Sequence, residues 1–349
     1  MKIRYFSFPE ESKHKIWSTC IRLIIDDNIH NIRRARRLQH FLKAMDIDHS
    51  NSSIRSSVRA MLSGAIDYAG LFPPAGLSMS EAVINYAKYR NSNYRWMLGS
   101  FVLSAAQLPD FVESARDFIS RDSQRDWSLS VIAGEDINDT FRRIEAFSLN
   151  SLPGVRIESI EVKANSSSKI ENTVRNLPRD ITAYFELGSG ENLSDLMAQL
   201  ALNGQRAKIR TGGITTDAFP SSNQVLRFVR TCLAANVPFK ATAGLHHPIR
   251  CFKPLTYENN APKGTMHGFL NLFMATAFTI EGYRDALLED VMEEEFAEVF
   301  RFGDQSATWR DDHLLTLHQI ETLRKIGIQS FGSCSFEEPI ADLQALGIL

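Results

Sequence analysis

Cysteine is scarce in this chain: Cys20, Cys232, Cys251 and Cys334 lie far apart and form no CxxC pair. That spacing excludes a zinc knuckle and argues against a disulfide framework. Long hydrophobic runs are absent too. The longest nearly apolar stretch, Gly268 to Phe278, is too short to span a bilayer and contains Asn271. Neither sign of charge dominates, because 39 basic residues face 41 acidic ones for a net charge of −2. No global electrostatic case exists for a nucleic-acid or membrane-surface partner. The sequence has no GxGxxG and no GxxxxGKS, so neither common nucleotide-binding loop has support, and nothing in the chain calls for a cofactor. The first eleven residues are polar and aromatic, without the apolar core of a secretory signal. The expectation is a cytoplasmic protein with no nucleic-acid partner and no membrane partner.

What is present is ordinary globular material: 349 residues, 44% apolar and 23% charged, enough to bury a large core. Residues 1–56 differ from the rest. They carry the basic run Arg33-Arg34-Ala35-Arg36-Arg37 and a polar stretch from His49 to Ser57, and Ile21 to Ala44 fits one or two short helices. This part reads as an N-terminal extension whose basic run is a solvated helix face rather than a nucleic-acid patch, since no aromatic residues interleave with it.

From residue 57 on, apolar or β-branched runs alternate with amphipathic stretches. Strands are expected at Ile66–Phe72, Met97–Ser104, Ser128–Ala133, Ile157–Lys163, Thr182–Leu187, Ala207–Thr211, Pro238–Ala243 and His267–Ala275. Helical patterns separate most of them, for example Ser221–Ala235 with Val225, Phe228, Val229 and Cys232 on one face. Strand–helix alternation predicts a parallel sheet, and eight such units predict a single α/β domain over residues 57–349: a closed (β/α)8 TIM barrel. The segment after Ile280 is expected to supply closing helices (Leu287–Phe300, His313–Ile326) and a helical tail.

Catalytic groups of such barrels sit at the C-terminal ends of strands, so ionisable residues inside strand runs are the informative ones. Four consecutive strands carry them: Glu161 and Lys163, then Glu186, then Lys208 and Arg210, then Lys240 with Thr242 and the following His246-His247. Residues two apart share a strand face, and neighbouring strands lie about 4.8 Å apart, so inward-facing members would meet on the barrel axis. An excess of cations there would bind a small anionic metabolite. It would also lower the pKa of one lysine and make it a nucleophile toward carbonyls. His246, His247 and His267 with Glu161 or Glu186 form a less specific metal-ligand set, because no HxH lies on one strand. Cys334 needs a nearby base to act as a nucleophile, and Phe72-Pro73-Pro74 closes the first strand as a turn or a pocket wall.

At these strand ends the chain resembles the deoxyribose-phosphate aldolase family. Ala207-Lys208-Ile209-Arg210-Thr211-Gly212-Gly213 and Phe239-Lys240-Ala241-Thr242-Ala243-Gly244 are similar to that family's paired-lysine strands six and seven. Ala65-Ile66-Asp67-Tyr68-Ala69-Gly70-Leu71-Phe72-Pro73 resembles its first strand, Ser159–Lys163 its fourth and Tyr184–Gly188 its fifth. The resemblance implies an aldolase-type barrel in which Lys208 forms the Schiff base, Lys240 lowers its pKa and Glu161 shuttles protons. It implies a substrate pocket drawn from Asp67, Lys163, Glu186, Arg210, Thr242, His246, His247, His267 and Asn271. The chain departs from the family at Arg210, at Gly244-Leu245-His246-His247-Pro248 and at Met266–Asn271, where the family grips phosphate. An arginine there can bind a carboxylate or a phosphate bidentately, and the departures at the phosphate loops favour a substrate other than deoxyribose phosphate, such as a carboxylate-bearing one. Two other readings stand beside this one: a barrel enzyme working by acid–base or metal chemistry without a Schiff base, and a non-catalytic barrel binding a metabolite or partner. Homo-oligomerisation is left open.

Overall fold

The computed structural model describes residues 54–119, 127–150, 152–188 and 190–349, and residues Ile54–Leu349 form one compact unit. Expectations for residues 1–53, including the Arg33–Arg37 run and its helices, lie outside the described residues. After α1 (Ser56–Leu62), the chain alternates β1 (Ile66–Tyr68), α2 (Met79–Arg90), β2 (Leu98–Ser104), α3 (Leu108–Ala115), β3 (Trp127–Ile132), α4 (Ile137–Asn150), β4 (Val155–Lys163), α5 (Ser167–Asn176), β5 (Thr182–Glu186), α6 (Leu193–Leu202), β6 (Arg206–Arg210), α7 (Ser222–Ala234) and β7 (Phe239–Thr242). An excursion follows: a hairpin of β8 (Cys251–Pro254) and β9 (Lys263–Met266), then α8 (Phe269–Ile280), α9 (Asp285–Glu293), a small antiparallel sheet of β10 (Phe300–Phe302), β11 (Ser306–Trp309) and β12 (His313–Thr316), and α10 (Leu317–Ile326). The chain returns as β13 (Ile328–Ser333) and ends in α11 (Glu337–Ala345). Strands β1 to β7 and β13 close into an all-parallel eight-stranded barrel, β13 pairing with both β1 and β7. The protein is a (β/α)8 barrel.

Local sequence explains the helix starts. Ser78 with Glu81, Ser221 with Gln224 and Thr316 with Gln319 each form a reciprocal capping box, which satisfies otherwise orphaned backbone donors. Pro109 opens the first turn of α3, where its missing N–H costs nothing.

The eighth barrel strand is a correction. His267–Ala275 is not a strand: Phe269–Phe278 is the buried body of α8, which packs against α7, α9, α10 and β13. A helix covered on all sides loses its 3.6-residue polarity and cannot be told from a buried strand by pattern alone. The true eighth strand, Ile-Gln-Ser-Phe-Gly-Ser, has only two large apolar residues three positions apart, and its last residues read as a tail. Two further expectations shift as well. The acidic helix stops at Glu293, and His313–Thr316 is a strand rather than the first turn of α10.

The strands sort their side chains by parity. Ile160 and Val162, Ala183 and Phe185, Ala207 and Ile209, and Phe239 and Ala241 are buried in the apolar core. Their alternate neighbours line the axis, which is polar: Asp67, Ser100, Ser130, Ser159, Glu161, Lys208, Lys240 and Ser330 are all buried. Barrel interiors are usually filled by branched aliphatics. Here four serines leave room for two lysines. Among the described residues no helix is long and apolar enough to cross a membrane.

Candidate active site at the C-terminal mouth

Strand register builds the centre. Lys208 on β6 pairs with Lys240 on β7 and with Glu186 on β5. Glu161, one strand further, takes both ammoniums: its Oε2 lies 2.6 Å from Lys208 Nζ and its Oε1 lies 2.5 Å from Lys240 Nζ. Lys208 also reaches Glu186 at 2.8 Å, and Lys240 reaches Asp67 at 3.3 Å. Ser130 completes the knot. Its hydroxyl donates to Glu161 at 2.8 Å and accepts from Lys240 at 3.0 Å and Ser159 at 2.9 Å, which uses its full capacity. Asp67 is fixed by the Ser100 amide at 3.0 Å and the Ser330 hydroxyl at 2.7 Å. The Tyr184 ring lies 4.6 Å from Lys240 Nζ.

Charge balance differs from the expected cation excess. Three carboxylates, Asp67, Glu161 and Glu186, face two buried ammoniums. Arg210 stands at the rim, half exposed, 3.6 Å from Glu186. Lys163 is exposed and lines a neighbouring surface groove rather than the axis. Burial works against ionisation of Glu161, but Lys208 and then Lys240 outweigh it and hold the carboxyl far below its usual range. Burial likewise penalises the Lys240 ammonium, yet Glu161 and Asp67 raise it above an ordinary lysine. Lys240 is therefore held charged. Burying charged groups costs several kcal/mol per ion before pairing, so a cluster in which Asp67, Glu161, Lys208 and Lys240 are all buried is poor stabilising material and a candidate functional site.

A cavity of about 370 Å³ opens onto this cluster at the C-terminal ends of the strands. Lys208, Glu161, Lys240 and Asp67 line it, with Arg210, Thr242 and His246 among its walls and Phe72-Pro73-Pro74 on one side. The Pro-rich segment after β1 is thus a pocket wall. Gly212 and Gly244, which end the two lysine motifs, meet at this mouth. A Cβ on Gly244, at φ +74°, would lie 2.9 Å from the Gly212 Cα and 2.7 Å from the Phe219 ring, so only glycine fits.

The sequence missed one neighbouring set. Cys334, directly after β13, lies 3.8 Å from His246 Nδ1 and 3.6 Å from the Tyr257 hydroxyl. His246 Nδ1 is 3.5 Å from Glu338 Oε2 on α11. Cys334 and His246 both line the cavity. No sequence signal joins residues so far apart. Burial works against a charged His246, but Cys334 and Glu338 outweigh it and raise its pKa to about 9. A cation thus stands at the mouth at neutral pH. The stabilisation this group contributes is complete below its ordinary value of about 6.5 and is lost as pH rises through about 9. Urea unfolding of wild type and His246→Gln will show a stability gap at pH 6 that closes by pH 10. A gap independent of pH contradicts the assignment.

Three expected site residues lie elsewhere. His247 contacts Asp342 at 2.6 Å on α11, and His267 lies away from the cavity, its Nε2 donating to the Pro220 carbonyl at 2.7 Å. Asn271 sits on α8, not on a barrel strand. Its amide donates to the Val291 and Glu294 carbonyls and its oxygen accepts from the Arg250 N–H, tying α8 to the end of α9. The misplaced eighth strand explains both His267 and Asn271. Among the described residues no group of three His, Cys, Asp or Glu side chains is placed to hold a metal ion, so His246, His247 and His267 do not form the considered ligand set.

No family model, curated protein or solved structure matches this chain. The functional reading therefore rests on the residues themselves.

Proposed function

We propose that this barrel is a class I aldolase-like carbon–carbon lyase that forms a Schiff base with a small anionic carbonyl compound. The observation that carries the reading is Lys208, buried on the floor of the C-terminal cavity between Glu161 and Glu186. Its Nζ touches two carboxylates, which are within reach to take up and return the protons that move when an amine adds to a carbonyl. The neutral amine adds to the substrate carbonyl, and the proton returns through a carboxylate to the carbinolamine hydroxyl, which leaves as water. The resulting iminium draws in the electron pair of the neighbouring carbon–carbon bond as the β-hydroxyl gives its proton to a carboxylate. An aldehyde leaves. The enamine is then protonated on carbon, and hydrolysis frees the lysine.

Glu161 bridges the two lysines, its Oε2 on Lys208 and its Oε1 on Lys240. The role of Lys240 in this reading is to keep Glu161 ionised and fixed beside Lys208, at a cost in the basicity of Glu161, while Asp67 and Ser130 hold Lys240 in place. The cavity admits only a small molecule. Arg210 and His246 at the rim suit a carboxylate on that molecule, Arg210 by its bidentate fork.

An iminium acidifies the α-protons of its carbonyl partner, so the reading is tested without knowing the second product. Small 2-oxo acids and anionic aldehydes are incubated with the protein in D2O and followed by proton NMR. At least one compound is expected to lose its α-proton signal with wild type and keep it with Lys208→Met. Exchange that survives Lys208→Met, or none with any compound, favours acid–base chemistry or simple anion binding in the same cavity.

A further inference from the structure

The larger opening of the barrel is at the other end. A cavity of about 1000 Å³ lies at the N-terminal mouth, bordered by Gly64, Leu98, Ser128, Arg156, Thr182 and Arg206, each before or within the first two residues of its strand. Asp67 and Lys240 line both cavities, so the two openings approach each other along the polar axis. The members of the charged cluster it shares are Asp67 and Lys240; Lys208 and Glu161 do not line this end.

Five arginines do: Arg90, Arg95, Arg156, Arg206 and Arg324. The carboxylates in the same lining are fewer. They are Glu158, paired with Arg156, Asp180 at the rim and Asp67, already held by Lys240. Arg206 donates to the Tyr184 hydroxyl at 2.7 Å, and Arg324 donates to the Ser63 carbonyl at 2.8 Å and the Ile328 carbonyl at 3.4 Å. Among the described residues neither has a carboxylate within ion-pair distance. These contacts fix the guanidiniums in place without neutralising them. Burial pulls the Arg324 guanidinium down to about 10, with Asp67 opposing it from a distance. Fixed, under-neutralised guanidiniums around a polar recess form an anion receptor, and their planar forks match phosphate oxygens.

We propose that the N-terminal mouth of the barrel is a second binding site, for a small anion carrying at least two phosphate groups. One phosphate cannot offset this many cations, whereas a recess of this size accommodates a molecule with two. The site is separate from the proposed lyase chemistry and its test needs no turnover.

Isothermal titration of the full-length protein with inorganic pyrophosphate tests it, with inorganic phosphate as the single-group probe. Pyrophosphate is expected to bind at least tenfold more tightly than phosphate and to weaken with added salt. Arg156→Gln and Arg95→Gln, both exposed at the rim, are expected to weaken it about tenfold each. Arg324→Gln should cost more, but Arg324 also holds two backbone carbonyls, so the rim variants keep the test open if that one fails to fold. Arg210→Gln, at the opposite mouth, is expected to leave the affinity unchanged. No binding at millimolar pyrophosphate, or binding lost in Arg210→Gln and kept in Arg156→Gln and Arg95→Gln, overturns the proposal.

Discussion

Lys208→Met is expected to lower turnover of any carbonyl substrate by on the order of 10⁴-fold or more while leaving a folded barrel. The loss is large because the lysine is the covalent partner in the proposed reaction. Methionine keeps the length and apolar stem of lysine and removes only the ammonium. The fold survives because neither carboxylate is stranded: Glu161 keeps Lys240 at 2.5 Å, and Glu186 keeps Arg210 at 3.6 Å. Circular dichroism and urea unfolding check the fold, and substrate decay checks the rate. Residual activity within tenfold of wild type would remove Lys208 from the chemistry.

Glu161→Gln is expected to have the larger effect on stability, about 3–5 kcal/mol at pH 7. Glu161 is the one side chain that touches both ammoniums, so its loss leaves Lys208 and Lys240 facing each other on adjacent strands. Asp67, at 3.3 Å from Lys240, compensates only in part. The sign with pH follows. Lys208 and Lys240 depress the Glu161 carboxyl against burial, so its stabilisation is present above its ordinary value of about 4.5 and is lost as pH falls below it. Urea midpoints of wild type and Glu161→Gln should therefore converge in acid. Adding Lys240→Met to Glu161→Gln should recover part of the loss, since it removes one of the two ammoniums that then face each other without a shared carboxylate. A Glu161→Gln protein as stable as wild type at pH 7 would mean the two lysines do not depend on it.

Much of the barrel was legible because its strands alternate. Ile160-Glu161-Val162-Lys163 and Ala207-Lys208-Ile209-Arg210 place apolar residues toward the helices and ionisable ones toward the axis, and a charge inside an apolar strand is a loud signal. Four of the centre's charged groups, Glu161, Glu186, Lys208 and Lys240, were visible for that reason. Ser130 and Ser330 were not, because serine is common everywhere and only the closed barrel brings them to Lys240 and Asp67. Lys163 shares the parity of Glu161 but stands at the strand end, where the barrel opens and its side chain turns out to solvent. The eighth strand was lost because α8 is buried all round, and the pairing of Cys334 with His246 depended on finding that strand.

The central claim is that Lys208 forms a covalent iminium with a carbonyl substrate. Borohydride reduces such an iminium to a stable secondary amine, which intact-mass and peptide mass spectrometry locate. Wild-type protein incubated with small 2-oxo acids and anionic aldehydes, then reduced, is expected to gain the mass of one compound on the peptide containing Lys208, and Lys208→Met to gain none. An adduct on Lys240 instead, or none with any compound of the panel, would contradict the account.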